Sequence, residues 1–307
     1  MFIYAIIALA CLSSAHSYDF SFSSCQDTTH QQSPINLVSS QSLYYDEKYF
    51  RFLTNNYNKL PTGLSWSVFP EERAVGFKPA DQTNFGSFLL VKDWGMYNFF
   101  LQKVLFRLGS EHQIDGKSFD VEMQLVHVLD PNYYPPGKRI SLNQNYLTIS
   151  VFFNRTYDIN PARSRLFEFS NLQGFSNGTN AAIPRDIKLH YMIQHQPSYL
   201  YEGTLTYPEC QGSLWMIFSQ FHYISQTDYA NLASVIRKNQ NLIDTTSLQN
   251  TRNIKKNVNT PVYRNWNDFD RMTPKPTLLA YNSATRINLS YISLTGLVFI
   301  IFCLILN

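Results

Sequence analysis

Charge is scarce in this 307-residue sequence: Asp, Glu, Lys and Arg make up only 15% of it, and the net charge is +3. No cationic run is longer than a pair such as Lys255-Lys256. A protein that grips nucleic acid carries a basic stripe or patch, so no nucleic-acid partner is expected. No internal repeat, low-complexity tract or Pro/Gly-rich linker divides the chain. Histidine occurs seven times, and no two are spaced His-x-His, so no strand presents a pair of imidazoles on one face. What is abundant is apolar. Hydrophobic residues reach 44%, with 23 Phe and 20 Tyr. That excludes a disordered chain and suffices for one sizeable core.

Both ends read as addressing segments. Residues 1–17, MFIYAIIALACLSSAHS, hold an apolar stretch from Phe2 to Leu12 and then small residues, with Ala15 and Ser17 suited to a signal-peptidase site. The C-terminal run 292–306 is apolar, shorter than the roughly 20 residues of a spanning helix, and followed by no basic flank. Small residues at Asn282-Ser283-Ala284 precede it, the order of a GPI-attachment signal. A single-pass anchor is the alternative. Residues 273–291, with Pro274 and Pro276, read as a stalk and anchor-site spacer. Residues 18–272 are then an ectodomain on the extracellular face of the plasma membrane.

Cys11 and Cys303 fall in the terminal segments, leaving Cys25 and Cys210. Two cysteines in an oxidising compartment suggest one disulfide. Asn154-Arg-Thr156, Asn177-Gly-Thr179 and Asn288-Leu-Ser290 are N-glycosylation acceptors.

The chemistry between the ends is mainly β. Leu64 to Phe69, Lys103 to Leu108, Val121 to Val128 and Leu147 to Phe153 alternate as half-buried strands do. Helical spacing is confined to Ala162 to Phe169 and to Thr227 to Lys238, where Tyr229, Leu232, Ala233 and Ile236 share a face. His190 and His195, five apart, are read as lying on opposite faces of a strand.

Four blocks carry a family resemblance: Gln32-Ser33-Pro34-Ile35-Asn36-Leu37; Gly109-Ser110-Glu111-His112; Glu122-Met123-Gln124-Leu125-Val126-His127; and Tyr201-Glu202-Gly203-Thr204-Leu205-Thr206-Tyr207-Pro208-Glu209-Cys210. An Ile114-Asp115-Gly116-Lys117 turn separates the middle two, and Trp215 follows the last. In this order they resemble the α-carbonic anhydrases. The resemblance implies a single α+β domain with a central twisted, mostly antiparallel sheet and short peripheral helices. It also puts Cys25 and Cys210 where secreted members carry their disulfide.

Members of that family hydrate CO₂ with a zinc ion held by three imidazoles. In register, those ligand positions fall on Leu105, Arg107 and Gln124. Leu105 has no donor atom, Arg107 is a permanent cation without a lone pair to give, and Gln124 offers only a carbonyl oxygen. No bound zinc is therefore expected. Glu111 and Thr206 match the family's pair that orients zinc-bound hydroxide; here they are either a retained polar pocket or buried structural hydrogen-bonders. An Arg107–Glu111–Gln124 network could fill the vacated site. The function expected is a carbonic-anhydrase-like, acatalytic surface module that binds an extracellular protein or glycan. The alternative is a zinc carbonic anhydrase with an aberrant site.

Overall fold

The computed structural model describes residues 25, 31–45, 50–55, 57, 64–79, 86–92, 95–130, 145–157, 181–183, 189–193, 196–238, 250–256 and 260–266. The expectations for residues 1–17 and 273–306, for Asn177, His195 and Asn288, and for a helix from Ala162 to Phe169 lie outside them.

In chain order the strands are β1 (Asn36–Leu37), β2 (Leu43–Tyr44), β3 (Phe50–Asn55), β4 (Ser65–Phe69), β5 (Ala74–Phe77), β6 (Ser87–Lys92), β7 (Gly95–Leu108), β8 (Gln113–Ile114), β9 (Val121–Leu129), β10 (Tyr146–Thr156), β11 (Ala181–Ala182), β12 (Ser198–Thr204), β13 (Gly212–Ser225) and β14 (Tyr263–Arg264). Helix α1 spans Leu189–Met192 and α2 spans Gln226–Lys238. Twelve of the described strands form one sheet, in the order β11-β4-β5-β7-β9-β10-β13-β12-β14-β2, with β6 on the first half of β7 and β3 beyond it. All its pairings are antiparallel except β10 with β13 and β14 with β2. The fold is the mainly β one that the sequence implies. His190 is a correction: it lies in α1, not on a strand.

Alternation sorts the central strands into two faces. Val104, Phe106 and Leu108 of β7, Met123 and Leu125 of β9, and Leu147, Ile149 and Val151 of β10 turn to the larger core. That core is closed by Leu232, Ala233, Val235 and Ile236 of α2. Burying each such aliphatic side chain contributes about 1.5–3 kcal/mol, so this face carries much of the stability. Helix α2 starts where β13 ends because Ser225 caps it: its Oγ accepts from the Asp228 N–H at 3.0 Å. Arg237 and Lys238 stand in its last turn, where the helix dipole favours cations.

The other face carries Leu105, Arg107, Glu122 and Gln124. Two local devices frame it. The Asp115-Gly116 turn has both residues at positive φ, 50° and 76°, which suits Asp-Gly. Asn36 Oδ1 accepts from the Gly116 N–H at 2.9 Å, and the Asp115 carboxylate accepts from the Ser39 N–H and hydroxyl. The N-terminal hexapeptide and the turn thus hold each other. Gly76 of β5 lets that strand press on β7: a Cβ there would lie 1.8 Å from the Val104 carbonyl oxygen. Cys25 and Cys210 are joined, with Cα atoms 5.2 Å apart across a separation of 185 residues. Closing so long a loop contributes on the order of 4–5 kcal/mol in the chain-entropy account.

Candidate functional site

Strands β7 and β9 are paired with Leu105 opposite Gln124 and Arg107 opposite Glu122. These four side chains therefore share one face, with Leu105 and Arg107 two residues apart. Leu105 is buried in a small apolar group with Ala74, Val126, Leu205 and Tyr207.

Arg107 is only 1% exposed. Its Nη1 donates to the carbonyls of Glu72, Arg73 (3.3 Å) and Asn250 (3.4 Å), and its Nη2 donates to Thr206 Oγ1 at 3.4 Å. Its Nε lies 3.5 Å from Glu111 Oε2, an ion pair rather than a directed hydrogen bond. The Glu72 and Arg73 carbonyls come from the turn between β4 and β5, where Arg73 has a positive φ of 50°. A buried charge must be paired and hydrogen-bonded, and this guanidinium is.

Glu111 is the hub of the other side. Its Oε2 also accepts from Gln124 Nε2 at 2.7 Å, and its Oε1 accepts from the Arg252 backbone N–H at 2.9 Å. Gln124 Nε2 donates to Glu122 Oε1 as well, at 3.2 Å. Two carboxylates on one side fix which end of the amide faces them, because an oxygen there would be repelled. Gln124 Oε1 accepts no hydrogen bond among the described residues. No hydrogen bond joins Glu111 to Thr206 among the described residues; Arg107 reaches both. The structure thus brings Arg107, Glu111, Gln124 and Thr206 into one network.

Glu122 is saturated with donors: the backbone N–H of Glu111 and His112, the Ser150 hydroxyl, Gln124 Nε2 and His112 Nδ1 at 2.9 Å. Burial pushes its carboxyl up, but the charge of the His112 ring, the hydrogen bonds from that ring and from the His112 backbone N–H, and the Ser150 hydroxyl outweigh that and hold it at about 2. His112 Nε2 lies 2.7 Å from Tyr201 Oη, and Tyr201 donates to Ser33 Oγ at 2.8 Å. The first, second and fourth sequence blocks are therefore wired together around the third.

His127 is buried on the opposite face of β9. Its Nδ1 donates to the carbonyls of Leu125 (2.9 Å) and Leu147 (3.2 Å), and its Nε2 accepts from Tyr57, whose phenol burial pushes well up. Burial lowers the imidazole from 6.5 to about 4. The unfolded chain thus takes up a proton in this range that the folded protein refuses. The stability contributed by neutral His127 is fully present above pH 6.5 and is lost as pH falls towards 4. At 1.36 kcal/mol per pH unit the loss is about 3 kcal/mol. Urea midpoints measured from pH 8 to 4 should fall through this window and fall less in His127→Gln; equal slopes would contradict the assignment. Glu122 acts at lower pH, its contribution present above 4.5 and lost towards 2.

The donor set on this face does not fit zinc. Leu105 supplies no lone pair, Arg107 is a cation committed to acceptors, and Gln124 turns its nitrogen towards carboxylates. Sequence reasoning missed Glu72, Arg73, Asn250 and Arg252. Asn250 links three segments: its Oδ1 accepts from the Leu108 N–H at 2.6 Å, and its Nδ2 donates to the Arg73 and Phe106 carbonyls. Arg252 Nη1 donates to the Ser33 carbonyl at 2.9 Å. Towards Arg107 and Glu111 these four residues offer backbone groups, the carbonyls of Glu72, Arg73 and Asn250 and the N–H of Arg252, which leave no residue signature. Of the glycosylation acceptors, Asn154 is half-buried near the end of β10.

The profile of the eukaryotic-type carbonic anhydrases matches residues 14–266. Carbonic anhydrase 7 of Homo sapiens is 26% identical over 220 residues, covering 67% of this chain and 77% of the relative. Its Mus musculus counterpart is 25% identical with the same coverage. Among solved structures, a carbonic anhydrase from Chlamydomonas reinhardtii in complex with acetazolamide superposes with a TM-score of 0.56 at 19% identity, over 78% of this chain and 92% of that one. Dioscorin complexed with ascorbate gives a TM-score of 0.54 at 19% identity, over 76% and 85%.

Proposed function

The chain belongs to the eukaryotic-type carbonic anhydrase family, and we propose that within it this is an acatalytic member that serves as a cell-surface binding module. The observation that carries this reading is the buried Arg107 guanidinium, paired with Glu111 and donating to Thr206 and three backbone carbonyls. A dication could approach only by breaking that network and meeting a positive charge about 4 Å away, and the repulsion in a low-dielectric interior is several kcal/mol. Glu111 and Thr206 are buried structural hydrogen-bonders in this reading. Delivery through the secretory pathway is supported by the Cys25–Cys210 pair, since such a bond persists in an oxidising compartment. Tethering is supported by the apolar run 292–306, and in this reading the ligand is an extracellular protein or glycan.

The purified ectodomain, residues 18 to about 283, is expected to hold no stoichiometric zinc and to hydrate CO₂ at the background rate. Elemental analysis and stopped-flow assays read both. One zinc per chain together with a thermal shift on adding a sulfonamide would establish the zinc enzyme with an aberrant site instead.

A further inference from the structure

We infer that Asn154 carries an N-linked glycan whose first sugars lie over Phe221 and Tyr223 and close an aromatic patch that the fold leaves open. The inference rests on the secretory reading above and adds to it a place and a structural role for the glycan.

The patch follows from where strands stop. Strand β9 leaves β10 at the Val121–Phe153 pair, and β12 leaves β13 at the Ser198–Phe218 pair. At that border Phe152 pairs with Phe221, and beyond it β10 and β13 run on together, pairing Asn154 with Tyr223 and Thr156 with Ser225. Partners in a parallel ladder point to the same side, as do residues two apart. Phe152, Asn154, Phe221 and Tyr223 therefore share one face. The opposite face is covered: Arg155 lies 4.5 Å over the Tyr229 ring of α2, and Phe153 packs on His222.

On the shared face Phe119 stacks on Phe152 with ring centroids 4.2 Å apart, then approaches Phe221 at 6.0 Å. Phe221 meets Tyr223 edge-on at 5.5 Å. The row is buried at one end and open at the other, where Phe221 is 41% and Tyr223 43% exposed. These two rings leave apolar surface in water, and a group laid over them would remove it at a gain of about 25 cal/mol per Å². The covering group is already attached. Asn154 stands one strand spacing, about 5 Å, from Tyr223, and its amide makes no hydrogen bond among the described residues. It is the Asn of an Asn-Arg-Thr acceptor. A pyranose offers a C–H-lined face that packs flat on an aromatic ring, and a tethered sugar does so at high effective concentration.

The modification balances with a lipid-diphosphate-linked oligosaccharide as donor. Asn154 Nδ2 attacks the anomeric carbon, the C–O bond to the diphosphate breaks, the lipid diphosphate leaves, and Nδ2 gives up one proton.

The test uses the full chain made in a secretory host. Peptide mapping should find Asn154 glycosylated. Thr156→Ala and Asn154→Gln should each lose that glycan, bind an apolar dye several-fold more strongly and melt a few degrees lower. Enzymatic deglycosylation of the folded wild type should do the same. In Phe221→Ser/Tyr223→Ser, loss of the glycan should leave melting unchanged. A bare Asn154 beside an occupied Asn177 overturns the inference and leaves the secretory reading standing; with both bare and Cys25 reduced, both readings fall. An occupied Asn154 whose removal alters neither dye binding nor melting also overturns it.

Discussion

Arg107→Ala is expected to lower the folding free energy by about 3–5 kcal/mol, the cost of leaving one partner of a buried ion pair behind. For a domain of this size that corresponds to a melting temperature lower by roughly 6–20 °C. Two effects of different size combine. Glu111 keeps hydrogen bonds from Gln124 and the Arg252 N–H, but it loses its counter-charge while still buried. The carbonyls of Glu72, Arg73 and Asn250 lose their shared donor, each worth about 1–3 kcal/mol if water cannot replace it. The turn carrying Glu72 and Arg73 lies near the surface, so the carboxylate should account for most of the loss. A double variant separates the two. Arg107→Met with Glu111→Gln removes both charges, and replacing a whole buried pair is often near neutral. It should therefore be more stable than Arg107→Met alone, with a coupling of about 1–3 kcal/mol. If Arg107→Ala moves the urea midpoint by no more than a surface change does, about 0.5 kcal/mol, the guanidinium does not hold the site together.

The parts of this fold legible in sequence are those where one face is apolar and the other is not. Strand β9 alternates Val121, Met123 and Leu125 with Glu122 and Gln124, and its two sets of side chains go to different faces. Helix α2 was legible from Leu232, Ala233 and Ile236 at helical spacing. The first half of strand β13 was not, because it is buried on both faces there, and the continuous apolar run from Leu214 to Phe218 has no period to read. At the site, the alternation of Leu105 and Arg107 and the family blocks together placed the side chains. The segments closing over them escaped because the β4–β5 turn contributes carbonyls, and Arg252 contributes a backbone N–H to Glu111. His190 was misread because a two-histidine spacing was interpreted without knowing that α1 is helical there.

The variant Leu105→His/Arg107→His/Gln124→His is expected to gain a zinc site. The pairing that sets Leu105 opposite Gln124, with Arg107 two residues on, would put three imidazoles on one face of two neighbouring strands. Tetrahedral zinc needs nitrogen atoms about 2.0–2.1 Å from the metal, a span that facing side chains on adjacent strands can close. Outer partners that orient ligands alter metal affinity by about 10–100-fold, and here Glu111 and Glu122 remain beside the new imidazoles to accept their N–H groups. Removing Arg107 also removes the positive charge that would oppose the ion. The metal-free variant should be less stable than wild type, since Glu111 has lost its cation. Zinc at about 1,000 times its dissociation constant should then return about 4 kcal/mol. The contrast between a weakened metal-free form and a zinc-stabilised one is the signature; Arg107→His alone should show the first without the second. One zinc per chain by elemental analysis and a zinc-dependent rise in melting temperature would carry the expectation. A triple variant that folds, takes up no zinc and sits beside a silent Arg107→Ala would mean that these positions are not the family's ligand positions. The account of a metal site exchanged for an arginine network would fall with it.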